Sequence, residues 1–131
     1  GFTPEVRADL EKVIMAVSAE AALPGQASVD ADHAAEIVEG RQLFSSEAID
    51  CARCHTFRDI SDGDVGPVLT GWGSREWVLG MLHDPSSEAY YGEDNDRMPL
   101  FGVDELLTDA EMGLVADWLR GDWAGQRTPE P

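Results

Sequence analysis

Both cysteines of this 131-residue chain fall in one run, Cys51-Ala52-Arg53-Cys54-His55. Two thiols three positions apart fit on one helical turn, and an imidazole follows the second directly. Thiols so spaced can each add to one of the two vinyl groups of a porphyrin, forming two thioether bonds. The adjacent imidazole is then held under the iron as an axial ligand. Cys-x-x-Cys-His therefore reads as a c-type haem attachment site. The expectation is one haem c, attached covalently through Cys51 and Cys54, with His55 on the iron.

Three other chemistries compete for the same five residues. A structural zinc site needs about four Cys or His ligands. Only two cysteines exist here, and the remaining histidines, His33 and His83, are distant and unpaired. A dithiol redox pair usually sits in a βαβ context, and this chain has little strand pattern. Chance occurrence in a protein without haem is the third. The haem reading leads all three.

A second axial ligand has four methionine candidates. Met15 lies on the N-terminal helix ahead of the motif, and Met81 and Met112 lie on helical stretches with apolar neighbours, so these read as core. Met98 differs. It sits outside any helical pattern, in Asn95-Asp96-Arg97-Met98-Pro99, well downstream of His55. Pro99 stiffens that loop, which suits a sulfur brought to the open face of an iron. His83 is the second choice for this role, and His33 reads as a solvated helix residue. His/Met ligation raises a haem potential. Two protein ligands also leave no position for oxygen or peroxide, which favours one-electron transfer over ligand chemistry. No second haem motif and no paired carboxylates placed for acid–base work are present, so no catalytic residue is expected.

These residues need a frame. Thr3-Pro4-Glu5 is a helix start, with a cap residue, proline at the first position and an early acid. Val6, Leu10, Val13, Ile14 and Val17 then share one face, and the pattern predicts a helix from about Pro4 to Ala22, ended by Leu23-Pro24-Gly25. A polar linker runs to about Val29. A second helix is predicted from Asp30 to Phe44, capped by Asp30 or Asp32. Gly40 lies inside it at a cost of about 1 kcal/mol against alanine, which points to close packing against another element. After the motif, Asp59 to Gly73 is turn-rich, with Gly63, Gly66, Gly71 and Gly73, and reads as a loop packed on the haem. Ser74 caps a third helix carrying Trp77, Val78, Met81 and Leu82, with Pro85 past its end. Ser86 to Asp96 is polar and acidic apart from Ala89, Tyr90 and Tyr91. Thr108-x-x-Glu111 is a capping box opening a last helix with Leu114, Val115, Trp118 and Leu119, and Gly121 follows it. The tail from Gly125 to Pro131 should be loose. The fold class is all-α, four or five helices with long loops wrapped around one covalent haem. Residues 1–29 form a helical extension and linker, 30–124 the haem domain and 125–131 a tail.

The formal net charge is −17, from 26 acidic and 9 basic residues, with Lys12 the single lysine. Such a chain is a poor partner for nucleic acid and is repelled by a bare anionic membrane. It suits a basic redox partner through electrostatic steering, while solubility or a saline habitat accounts for the same acidity. No run approaches the roughly 18 apolar residues of a membrane span, so direct membrane insertion of this segment is not expected. Haem is joined to such motifs outside the cytoplasmic membrane. The expectation is therefore a processed protein or an excised domain, periplasmic or on the outer face of a bacterial membrane.

Several pieces together resemble a class I cytochrome c: Gly40-x-x-Leu43-Phe44, the haem motif, Gly66-Pro67-Val68-Leu69, Arg97-Met98-Pro99, and a last helix ending Trp118-Leu119. They span Ile37 to Arg120 in the family's order. The resemblance implies a class I fold with an extra N-terminal helix. It also implies that the helix bearing Gly40 crosses the last helix, with Trp118 opposite the glycine. Pro67 would accept a hydrogen bond from the axial histidine through its carbonyl, and Arg75 would meet a haem propionate. The segments Gly71 to Trp77, Tyr90-Tyr91-Gly92 and Asn95 to Phe101 are similar to the cytochrome c domains attached to bacterial cytochrome b complexes. That narrower likeness implies electron transfer from a quinol-oxidising, cytochrome b-type membrane complex to a downstream acceptor. The helix from Pro4 to Ala22 would then link to a membrane part, bind a partner, or pack on the core. Two other functions remain open: a haem-based sensor or ligand-binding domain, and the relay module of a larger dehydrogenase or oxidase.

Overall fold

The computed structural model describes residues 2–60, 63 and 65–123. Helix α1 spans Pro4–Ala19. The Thr3 hydroxyl accepts from the Val6 N–H at 3.3 Å, and Pro4 opens the first turn. Val13 and Ala16 face inward and are buried. The helix stops before Ala22 because the chain reverses there, with Ala22 at φ +48°. Leu23 is extended, at ψ 129°, as a residue before proline prefers.

The single helix expected over 30–44 is two. Helix α2 spans Ala27–Asp32 and α3 spans Ala34–Leu43, with His33 at φ −107°, ψ 23° between them. The His33 N–H closes α2 on Val29 O, and the His33 carbonyl opens α3 by accepting from the Ile37 N–H. One residue thus serves both ends. Helix α4 spans Arg75–His83, capped by the Ser74 hydroxyl on the Trp77 N–H at 3.1 Å. Helix α5 spans Asp109–Arg120 behind a complete capping box: the Glu111 carboxylate accepts from the Thr108 N–H at 2.8 Å, and the Thr108 hydroxyl accepts from the Glu111 N–H. Gly121 ends it in the left-handed region, φ +72°.

Helix α3 packs on α1. Gly40 lies so close to the Lys12 carbonyl that a β-carbon would overlap it, so the contact offsets the helical cost of glycine. Here the structure corrects an expectation. The helix crossing at Gly40 is with α1, and α5 packs on α4 instead. Trp118, expected opposite Gly40, is 67% exposed.

The core gathers Val13, Phe44, Ala52 and Phe57, with the two phenyl rings 4.6 Å apart between centroids. Both phenylalanines are fully buried, and burial of each contributes about 1.5–3 kcal/mol. Arg120, almost buried, donates to Ala21 O at 2.7 Å and also to Gly73 O. This ties the end of α5 to the turn after α1 and the turn before α4. Among the described residues the chain is all-α, with an isolated bridge at Phe57 and Ile60 in place of any strand. No described helix is long and apolar enough to cross a membrane. The tail from Gly125 to Pro131 lies outside the described residues.

Candidate functional site

The motif folds as one tight turn. Asp50 enters the left-handed region at φ 52°, and Cys51–Arg53 forms a single 3₁₀ turn. The N–H groups of Cys54 and His55 both point back to Cys51 O, at 3.2 and 3.0 Å. That turn sets both thiols on one short piece of backbone. Neither is in a disulfide; Cys51 is half-buried and Cys54 exposed. Burial pushes the Cys51 thiol up, and Asp50 adds to the rise. A redox dithiol needs a lowered thiol, so the environment of Cys51 runs against that chemistry.

The segment after the motif zips onto it. The Gly66 N–H donates to Cys54 O at 2.8 Å, the Leu69 N–H donates to Thr56 O at 2.9 Å, and the Thr56 hydroxyl donates to Gly63 O at 2.8 Å. Gly63 sits against the Cys54–His55 backbone with no room for a side chain. From behind, the Trp77 indole N–H holds Val68 O at 2.8 Å.

This zipper brings Pro67 to His55. The imidazole Nδ1 lies 2.8 Å from Pro67 O. A carbonyl oxygen only accepts, so Nδ1 carries a proton, and in the neutral ring it is Nε2 that holds the lone pair. No hydrogen bond engages Nε2 among the described residues. Gly66 lies against the ring, and a β-carbon there would come within 2.5 Å of Cε1.

A cavity of about 380 Å³ opens beside the motif, lined by Cys51 and His55 together with Leu10, Val13, Ile14, Val17, Phe44, Leu69 and Trp72. Its walls are mostly hydrocarbon. Five of its lining residues, Ser18 included, come from α1. The apolar stripe of that helix was legible in the sequence, but its destination was not, because periodicity says which face is buried and not against what. A second cleft, of about 590 Å³, runs between Gly66 and the Tyr90–Asp94 segment. It touches neither cysteine, and the smaller cavity is the one joined to the motif.

The haem expected from the sequence meets these residues in three ways. Two free thiols share one turn, an oriented imidazole offers a free nitrogen, and an apolar cavity adjoins both Cys51 and His55. No group of three or more His, Cys, Asp or Glu able to hold a metal ion occurs among the described residues. A porphyrin brings four of its own ligands, so one or two from the protein suffice. The residues present fit the group.

The other candidates stand apart from that cavity. Met98 is half-buried in its own loop and is not among the cavity's lining residues. Its N–H donates to Asn95 Oδ1 at 3.1 Å, and its carbonyl accepts from Asn95 Nδ2 at 2.9 Å. Arg75 engages Asp117 of α5, Nε to Oδ1 at 2.7 Å, and this pairing raises the arginine and lowers the aspartate. His83 ends α4, with its ring against Gly102. His33 forms the α2–α3 junction, 3.6 Å from the Glu36 carboxylate. Met112 is buried at 3% exposure, in the core, while Met15 and Met81 are half-buried.

Sequence reasoning passed over Glu20. Its side chain is 5% exposed and accepts from Arg58 Nη2 at 2.6 Å, Arg58 Nε at 2.7 Å and the Gly71 N–H at 2.9 Å. It stitches the end of α1 to the loop following the motif and to the turn before α4. A lone acid in the apolar run Ala19-Glu20-Ala21-Ala22-Leu23 was its one visible sign. No family model, no curated protein and no solved structure matches this chain.

Proposed function

We propose that this chain carries single electrons through one haem c. Cys51 and Cys54 hold the group as thioethers, His55 ligates the iron through Nε2, and Met98 is the second ligand. The group's iron takes up and gives back one electron when bound. The polypeptide makes and breaks no bond in this work. Its residues attach the cofactor and orient one ligand.

The observation that carries the reading is the bond from His55 Nδ1 to Pro67 O. It fixes the tautomer, aims Nε2 and raises ligand basicity, as second partners of metal-ligating histidines do. The apolar side chains of α1 beside His55 lower the local dielectric, which favours the less charged state of a metal centre. The net charge of −17 fits a basic acceptor. A cytochrome b-type, quinol-oxidising complex is the proposed donor, with the chain at the outer face of the membrane or in the periplasm.

The test is production in a bacterial periplasm together with the haem-attachment machinery. The expected product gains the mass of one haem and keeps it through acid–acetone extraction, and a Cys51→Ser, Cys54→Ser variant loses it. Wild-type protein that matures without covalent haem would overturn the reading.

The absence of Met98 from the cavity lining favours a second reading, a haem-based sensor or ligand-binding domain with an open coordination position. The reduced protein decides. Slow or undetectable carbon monoxide binding supports the electron carrier, and rapid, stoichiometric binding supports the sensor. A relay module of a larger dehydrogenase or oxidase would behave as the carrier does, with catalysis in another domain.

A further inference from the structure

We infer that Asn95 is the positioning residue for Met98. The inference rests on the reading of Met98 as an iron ligand, and it names what would hold that ligand in place.

The Met98 segment has little regular structure to fix it. It follows the short turn Gly92–Asp94, and Asp96 and Arg97 point into solvent. What holds it is one amide side chain. Asn95 Oδ1 accepts from the Met98 N–H at 3.1 Å, and Asn95 Nδ2 donates to the Met98 carbonyl at 2.9 Å. Both main-chain polar groups of Met98 are therefore bound by the same side chain. The amide orientation is forced, because an N–H only donates and a carbonyl only accepts.

The second proton of Nδ2 goes to Ser86 Oγ, 2.9 Å away. Ser86 follows Pro85, which is fully buried, and its own N–H is held by the Asp84 carboxylate at 3.0 Å. The clamp on Met98 is thus anchored to the end of α4. Asn95 is half-buried, so these bonds face limited competition from water. A thioether is a weak, neutral ligand, and its hold on a metal depends on how little the backbone has to be ordered when it binds. Asn95 prepays that ordering.

The experiment measures the affinity of the ferric haem protein for added imidazole, which competes with Met98 for the iron, alongside the reduction potential. Wild type should bind imidazole weakly and Met98→Ala tightly. Asn95→Ala should fall between, roughly tenfold tighter than wild type, because two hydrogen bonds to the Met98 backbone are lost. Its potential should drop toward that of Met98→Ala. Asn95→Asp keeps the acceptor for the Met98 N–H but sets a carboxylate oxygen against the Met98 carbonyl, so it should change both readouts in the same direction. It also serves if Asn95→Ala does not fold. If Met98→Ala binds imidazole tightly while whichever Asn95 variant folds behaves as wild type in affinity and potential, Asn95 has no positioning role and Met98 keeps its own. If Met98→Ala binds imidazole no better than wild type, Met98 is not the ligand, and the inference falls with it.

Discussion

Gly40 of α3 lies against the main-chain carbonyl of Lys12 in α1, with no space for a β-carbon between them. The contact makes α1 part of the frame that holds the candidate site. Val13, the next residue along α1, belongs to the buried cluster with Phe44 and Phe57 and lines the cavity beside His55.

Gly40→Ala should separate the two helices. Alanine improves helix propensity by about 1 kcal/mol, but overpacking against backbone costs about 1–3 kcal/mol or more, so net destabilisation is expected. Urea unfolding followed by circular dichroism measures it. A variant as stable as wild type would show that α1 yields easily at this crossing.

Glu20→Ala removes the acceptor for the Arg58 guanidinium and the Gly71 N–H. Stability should fall by about 1–2 kcal/mol, because the Gly71 N–H loses its acceptor and the half-exposed Arg58 guanidinium, which water can re-solvate, loses its partner. Glu20→Gln keeps part of the acceptor geometry and should cost less. Equal losses in the two variants would mean that packing, not charge, dominates at this node.

Gly66→Ala places a methyl group against the His55 ring. The ring must move, and the bond to Pro67 should lengthen or break. The proton on Nδ1 reports this directly, as a slowly exchanging imidazole resonance in wild type that is lost in the variant. Retention of that resonance at its wild-type position would show that the 63–69 loop shifts instead of the ring.

Asp117 provides a test by pH. Its hydrogen bond to Arg75 lowers the carboxyl pKa below the ordinary value, against a smaller opposing effect of burial. A depressed folded-state pKa contributes stability that is present above the unfolded value, about 3.9, and lost as pH falls through the folded one. Arg75→Gln should move the Asp117 titration, followed by carboxyl NMR, back up to the ordinary range. The acid limb of the stability curve should flatten correspondingly. An Asp117 titration unmoved by this change would assign the depression to another neighbour.

Local chemistry was legible in the chain itself. Thr3, Ser74 and Thr108 cap helices where their types and spacing said they would, because a cap is an interaction within four residues. The turn at Cys51–Arg53 is equally local. The break at His33 was not legible. Nothing in Ala31-Asp32-His33-Ala34 forbids a continuous helix, and a residue shared between two helix ends leaves no compositional mark. Glu20 and Asn95 were missed for a related reason, since each is defined by partners that the order of residues does not put beside it.

The sequence by itself determined the chemistry on offer: two thiols and an imidazole on one turn, a methionine in a proline-stiffened loop, a helical frame and a large negative charge. Residue type and short spacing decide these, and neither needs a fold. Only the tertiary structure decided which helix meets Gly40. Many apolar helix faces are interchangeable by pattern, and the choice among them is made by packing. The structure chose α1, left Trp118 in solvent and made α1 a wall of the cavity beside Cys51 and His55. It also set Pro67 O 2.8 Å from the imidazole, a distance that depends on a zipper of loop hydrogen bonds and on glycines with no room for a β-carbon.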